Sequence, residues 1–304
     1  MNFKYFINDI YRVILFTFYP LAQLYEYFVF IGIYCLAQKK CEGFWIEILL
    51  ILYHLMTMTI VIYVMKILTI EGSSTKERFP NIPEDNRKLY HKGLNIFIQR
   101  EALKYRSARV HICTICKTYK PPRAHHCSNC DKCYLKYDHH SLLLDTCIAF
   151  HNYKYYFQFL SLNLIQSIFF MINITINLYN EINKTIRINY QISISLILGK
   201  FLLFVYLTIY NIFLISNNET TVEHIAITNY VKNNFKYVDM FQEGPITQFS
   251  TSKNKKILNP YNISIEENWR QIFGYNLFDW IFPTDSSIGD GISFKKNYIE
   301  YEWL

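Results

Sequence analysis

The sequence predicts an all-α polytopic membrane protein, with four transmembrane helices and a small cytosolic Cys/His-rich domain of short β-hairpins and loops. Three observations lead there. Apolar residues make up 51% of the 304, and they gather into four long runs. Six of the eight cysteines fall between 113 and 147. Lys and Arg are shared unequally among the segments that join the runs.

The runs lie near 11–37, 44–68, 153–179 and 191–216. Each holds at least ~20 residues, enough to cross a ~30 Å hydrocarbon core as a helix rising ~1.5 Å per residue. Four such runs are too many for one soluble core. They divide the chain into 1–68 (N-terminal tail and two spans), 69–152 (linker and Cys-rich domain), 153–216 (two spans) and 217–304 (C-terminal tail). The first run is too long for a cleavable signal peptide, and no small-residue cleavage site follows it. Neither a myristoylation glycine nor a prenylation motif is expected, and no solenoid repeat is visible.

Charge sets the orientation. The 69–152 segment carries fourteen Lys and Arg; the two short loops on the other side carry Lys39 with Lys40, and Lys184 with Arg187. The positive-inside rule therefore puts 69–152 and both termini in the cytosol. Lys76, Arg78, Arg87 and Lys88 follow the second run, and Lys132 and Lys136 precede the third. The net charge of +7 thus reads as topology and attraction to a membrane surface, and not as nucleic-acid binding. An N-K-T sequon at 183–185 sits in a short lumenal loop and is expected to go unused. The sequons at 218–220 and 262–264 are cytosolic on this topology. Glu26, His54 and Lys200 fall inside runs and are expected to form one buried polar layer, because a lone charge in lipid is costly.

The cysteines read C-x2-C-x9-H-C-x2-C-x2-C-x6-H-x6-C from Cys113 to Cys147, counting His126 and His140. Paired C-x2-C spacing with interleaved His is a zinc pattern, and disulfides do not suit the cytosolic side. Eight soft ligands are enough for two closed tetrahedral sites, which are structural because no position is left for water. Such ions would fold a segment with little apolar core of its own. Behind them stands Y-D-H-H-S-L-L-L-D-T-C, residues 137–147.

These features resemble the DHHC family of membrane protein S-acyltransferases. The K-P-P-R-A-H-H-C run at 120–127, T-T-V-E at 220–223 and N-P-Y-N-I-S-I-E-E-N-W-R-Q-I-F-G at 259–274 match further family motifs. T-T-V-E also reads as an ordinary helix cap. The resemblance implies that Cys113, Cys116, His126 and Cys133 bind one zinc, and Cys127, Cys130, His140 and Cys147 the other. His125 is left over and is expected to pack or hydrogen-bond. The resemblance also implies a palmitoyl-CoA or similar acyl-CoA donor, protein substrates and an acyl chain lodged among the helices. The home membrane would be the endomembrane system, Golgi or ER, or the plasma membrane. Residue 141 would be the nucleophile and His139 the base, oriented by Asp138, with Thr221 hydrogen-bonded near Asp138.

The sequence departs from that family at the reactive strip. Ser141 stands in place of the nucleophilic Cys. Leu142 and Leu143 replace Pro-Trp, Asp145 and Thr146 replace two Asn, and Ala149 replaces Gly. A hydroxyl is a weaker nucleophile than a thiol that is a few per cent thiolate at neutral pH. No spare thiol compensates, since Cys35 and Cys41 lie at the lumenal end of the first run. The departure leaves two expectations: an acyltransferase slowed or stalled at Ser141, or a pseudoenzyme that binds acyl-CoA, a substrate protein or a sibling acyltransferase.

Overall fold

The computed structural model describes residues 17–37, 44–70, 74–79, 112–231 and 259–297. Lys39, Lys40, Cys41, Arg87, Lys88, the connector at 80–110 and the start of the first run lie outside them. The described chain is mostly helical. Its elements are α1 (residues 17–37, π-helical over Phe28–Ala37), α2 (Phe44–Thr69), α3 (Thr75–Arg78), β1 (His125–Cys127), β2 (Lys132–Tyr134), β3 (His139–Ser141) and β4 (Thr146–Ile148). Then come α4 (Tyr153–Asn180), α5 (Lys184–Asn217), α6 (Thr221–Val231), α7 (Ile265–Phe273) and α8 (Leu277–Ile281).

Three described helices, α2, α4 and α5, are long and apolar enough to cross a membrane. Their outward faces carry large apolar side chains such as Ile51, Met58, Ile172 and Ile209, which suits lipid and not water. Asn183 accepts from the backbone N–H groups of Thr185 and Ile186. It therefore caps the start of α5, and its side chain is committed to the helix.

The chain divides into two compact units. One comprises Met1–Leu68, Ser141–Asp145 and Tyr155–Asn211; the other comprises Thr69–His140, Thr146–Lys154 and Ile212–Leu304. In the helical unit, Val29, Phe30, Tyr34, Tyr53, Phe170, Ile174 and Tyr190 form the core, with the Phe30 and Tyr53 rings stacked 4.2 Å apart. Below that core sits a polar cluster drawn from four helices. Lys200 Nζ donates to Glu26 Oε2 at 2.9 Å and to Gln23 Oε1 at 2.5 Å. Gln23 Nε2 donates to Gln166 Oε1, and Gln166 Nε2 to Thr57 Oγ1, both at 2.9 Å. Glu26 and Lys200 thus meet as expected. His54 bonds elsewhere, with Nδ1 2.7 Å from the Tyr27 hydroxyl. Tyr27 follows Glu26 by one residue, and ~100° of helical rotation turns it toward a different neighbour.

Glu26 is fully buried, so its partner cannot be removed cheaply. Lys200→Met leaves an unpaired carboxyl among helices and is expected to cost about 3 kcal/mol. Denaturation in detergent micelles reads this as a lowered midpoint. Adding Glu26→Leu to Lys200→Met should restore most of it.

One apolar cluster of the second unit gathers Phe79, Tyr119, Leu135, Phe150 and Ile292. β1 and β2 form an antiparallel hairpin in which His126 faces Cys133, and β3 pairs with β4. Gly291, at φ 72°, brings its backbone against the Phe150 ring; a Cβ there would meet ring carbon at 2.9 Å.

Candidate functional site

The hairpin explains how neighbouring residues serve different clusters. Adjacent strand residues point to opposite faces, so His126 and Cys127 diverge. Cys113, Cys116, His126 and Cys133 form one group, and Cys127, Cys130, His140 and Cys147 the other. In each, the ligand atoms all lie within 4.8 Å of one another. His126 Nδ1 lies 3.3 Å from Cys116 Sγ and 3.8 Å from both Cys113 Sγ and Cys133 Sγ. His140 Nδ1 lies 3.5, 3.8 and 3.7 Å from the sulfurs of Cys130, Cys127 and Cys147. Each C-x2-C pair is followed by a residue in the left-handed region, Lys117 at φ 55° and Asp131 at φ 50°. These turns fold each pair back on itself, with Lys117 N donating to Cys113 O at 2.8 Å.

The groups fit a tetrahedral ion. Bonds of ~2.3 Å to sulfur and ~2.0–2.1 Å to nitrogen set ligand-to-ligand edges of roughly 3.5–3.8 Å, close to the distances observed. Three thiols with one imidazole is also a soft donor set. Both groups are therefore able to hold a metal ion.

Asp138 is buried, and its carboxylate is fully engaged. Oδ1 accepts from Thr221 N at 2.8 Å, and Oδ2 accepts from Thr221 Oγ1 at 2.9 Å. Oδ2 also lies 2.6 Å from His139 Nδ1. Thr221 opens α6, so the helix N-terminus favours the carboxylate charge. T-T-V-E is a capping box as well: Glu223 N donates to Thr220 Oγ1 at 3.2 Å, and Thr220 N to Glu223 Oε2 at 2.8 Å. The cap and the grip on Asp138 are one structure.

Sequence reasoning missed the residue that joins the scattered motifs. Arg123, from the K-P-P-R run, forms a bidentate pair with Glu223: Nε to Oε1 and Nη2 to Oε2, both at 2.7 Å. It also donates to Asn218 Oδ1 at 3.0 Å and to Asn218 O at 2.9 Å. Its guanidinium lies 4.4 Å from the Tyr261 ring centre and 5.0 Å from that of Phe294. Burial alone pushes Glu223 up, but the Arg123 charge outweighs it and holds the carboxyl below its ordinary range. The signal available beforehand was a lone Arg and a lone Glu inside two short motifs.

His125 packs against Tyr137 with ring centres 6.4 Å apart; burial, then the Lys120 charge, pulls it down to about 4, so it is neutral. Lys136 lines a small cavity together with Asp138, Thr220 and Gln271. Desolvation, then the Arg123 charge, lowers its ammonium to about 7. Ser141 is buried, and its Oγ accepts from Leu144 N at 3.3 Å.

Comparison with known proteins points the same way. Residues 106–228 match the family model described as DHHC palmitoyltransferase. Human Palmitoyltransferase ZDHHC20 is 28% identical over 306 residues, covering 94% of this chain and 76% of the relative. Probable protein S-acyltransferase 16 of Arabidopsis thaliana is 28% identical over 219 residues, 69% of this chain and 66% of the relative. Palmitoyltransferase PFA3 of Candida albicans is 31% identical over 174 residues, 50% of this chain and 45% of the relative.

Proposed function

The chain belongs to the DHHC palmitoyltransferase family, and from that premise we propose that it takes a long-chain acyl group from palmitoyl-CoA or a similar donor. Its acceptor in this reading is a cysteine of a substrate protein. It works as a four-span protein, with both termini and the Cys-rich domain on the cytosolic face of Golgi, ER or plasma membrane. Cys113, Cys116, His126 and Cys133 would hold one zinc, and Cys127, Cys130, His140 and Cys147 the other. Bound zinc supplies rigidity to the segment that carries Asp138 and His139.

The observation that carries the reading is the Asp138–His139 pair, 2.6 Å apart and held by Thr221. Asp138 accepts the Nδ1 proton of His139, which makes Nε2 the base. Ser141 Oγ attacks the thioester carbonyl, and His139 takes its proton. The C–S bond breaks, and the proton leaves on the CoA thiol. A substrate thiol then gives its proton to His139 and attacks the acyl-serine carbonyl; the C–O bond breaks, and His139 returns the proton to Ser141 Oγ. An oxygen ester is more stable than a thioester, so this second step runs uphill and the acyl-serine accumulates.

A second reading is favoured by Ser141 itself, together with the replaced strip from Leu142 to Thr146. It is a non-catalytic relative that binds acyl-CoA, a substrate protein or a sibling acyltransferase. Labelled palmitoyl-CoA separates the two. The first predicts protein-bound label that resists neutral hydroxylamine, which cleaves thioesters, and that disappears in Ser141→Ala. Bound acyl-CoA with no covalent label would leave the second.

A further inference from the structure

The C-terminal segment carries a surface the proposed reaction does not use. Leu277, Phe278, Ile281 and Phe282 are 77%, 52%, 68% and 46% exposed, all on or beside the single short helix α8. The Phe278 and Phe282 rings stack 4.2 Å apart. The opposite side of α8 is the packed one. Trp280 stacks on Trp269 at 5.9 Å and meets Phe273 at 5.1 Å, and its Nε1 donates to Gly274 O. Four large apolar side chains gathered on one side mark an interaction surface, since scattered single residues would not.

Hydrogen bonds fix where this surface lies. Asn268 Nδ2 donates to Ser216 O at 2.8 Å, and Trp269 Nε1 to Ser216 Oγ at 3.1 Å. α7 therefore rests on the last turn of α5. The loop after α8 is tied to the first turn of α4: Lys154 Nζ donates to Thr284 O at 2.7 Å, Thr284 Oγ1 at 3.0 Å and Ser286 Oγ at 2.7 Å. Thr284 in turn donates to Asp279 Oδ1 at 2.6 Å. α8 is thus held beside the ends of two helices able to cross a bilayer. The outward apolar face of α5 continues to Ile212 and Phe213, 41% and 46% exposed, one turn before Ser216.

We propose that Leu277, Phe278, Ile281 and Phe282 form a bilayer-contact surface that extends the lipid-facing side of α5 into the headgroup boundary. Aromatic and aliphatic side chains at that depth bury apolar area while the polar side of the helix stays wet. A soluble or protein partner would need no tie to Ser216 and Lys154, whereas a lipid-seated element must sit at the helix ends. The inference rests on the membrane-crossing helices alone and stands whether or not Ser141 is acylated.

Photo-crosslinking of the full chain tests it. Ile281→p-benzoylphenylalanine keeps an apolar group at an exposed position. Ile209→p-benzoylphenylalanine on the outward face of α5 is the lipid-facing reference, and Ser293→p-benzoylphenylalanine the exposed polar one. In phosphatidylcholine bilayers, lipid adducts at 281 should match those at 209 and be absent at 293. Adducts at 281 no greater than at 293, with 209 labelled, would overturn the proposal. So would a protein adduct replacing the lipid adduct in native membranes, which would make the face a protein-docking surface.

Discussion

Stripping the metal is expected to unfold the Cys-rich segment while the apolar helices persist. The apolar cluster described around that segment gathers five side chains, Phe79, Tyr119, Leu135, Phe150 and Ile292, and a cluster of that size offsets little of the ordering of the surrounding loops. Structural zinc in small Cys/His units contributes about 10–16 kcal/mol per ion in apparent binding energy, which is folding energy. The expected content is two zincs per chain, falling to one in Cys133→Ser or Cys147→Ser. Elemental analysis with thiol titration follows this: the six clustered cysteines resist alkylation in the holo protein and react after chelation. One ion or none in fully folded protein would contradict the ligand assignment.

Arg123→Met is expected to be the most damaging change outside the metal ligands. It leaves Glu223 buried without its bidentate partner, at a cost of about 3–5 kcal/mol. The effect reaches the Asp-His pair along a short path. Glu223 closes the cap at Thr220, the cap sets the start of α6, and the first residue of α6 holds Asp138 through two hydrogen bonds. Thermal unfolding should show the loss of stability. Acyl labelling should fall with it, while zinc content stays at two, which separates loosened positioning from a lost metal site. Arg123→Met with Glu223→Met removes both charges and should recover part of the stability, because the buried carboxylate is gone.

The difference between what could and could not be read beforehand has physical causes. The C-x2-C pairs were legible because a tetrahedral ion needs closely spaced sulfurs, and that requirement acts over a few residues. The runs at 44–68, 153–179 and 191–216 were legible because a bilayer demands length and apolarity together; α2, α4 and α5 cover them. Glu26 and Lys200 met because isolated charge in lipid has few other solutions. His54 was misplaced in that layer because depth along a helix was known, but its rotation was not. Arg123 and Glu223 lie 100 residues apart, and nothing in local periodicity links them; only the fold brings K-P-P-R, T-T-V-E and Tyr261 to one place. T-T-V-E fits both a cap and a site motif, and the fold uses it as both. Thr220 and Glu223 make the cap, and Thr221 beside them holds Asp138.

A tandem mass spectrum of the peptide that contains Ser141 decides whether that hydroxyl takes the acyl group. In the proposed reaction the Asp138–His139 pair drives acyl transfer to the Ser141 hydroxyl. After incubation of the zinc-loaded chain with palmitoyl-CoA, one palmitoyl group bound through oxygen at Ser141 is expected, greatly reduced in His139→Ala. An unmodified Ser141 peptide, from protein that keeps both zincs and binds the acyl-CoA, would contradict that reaction.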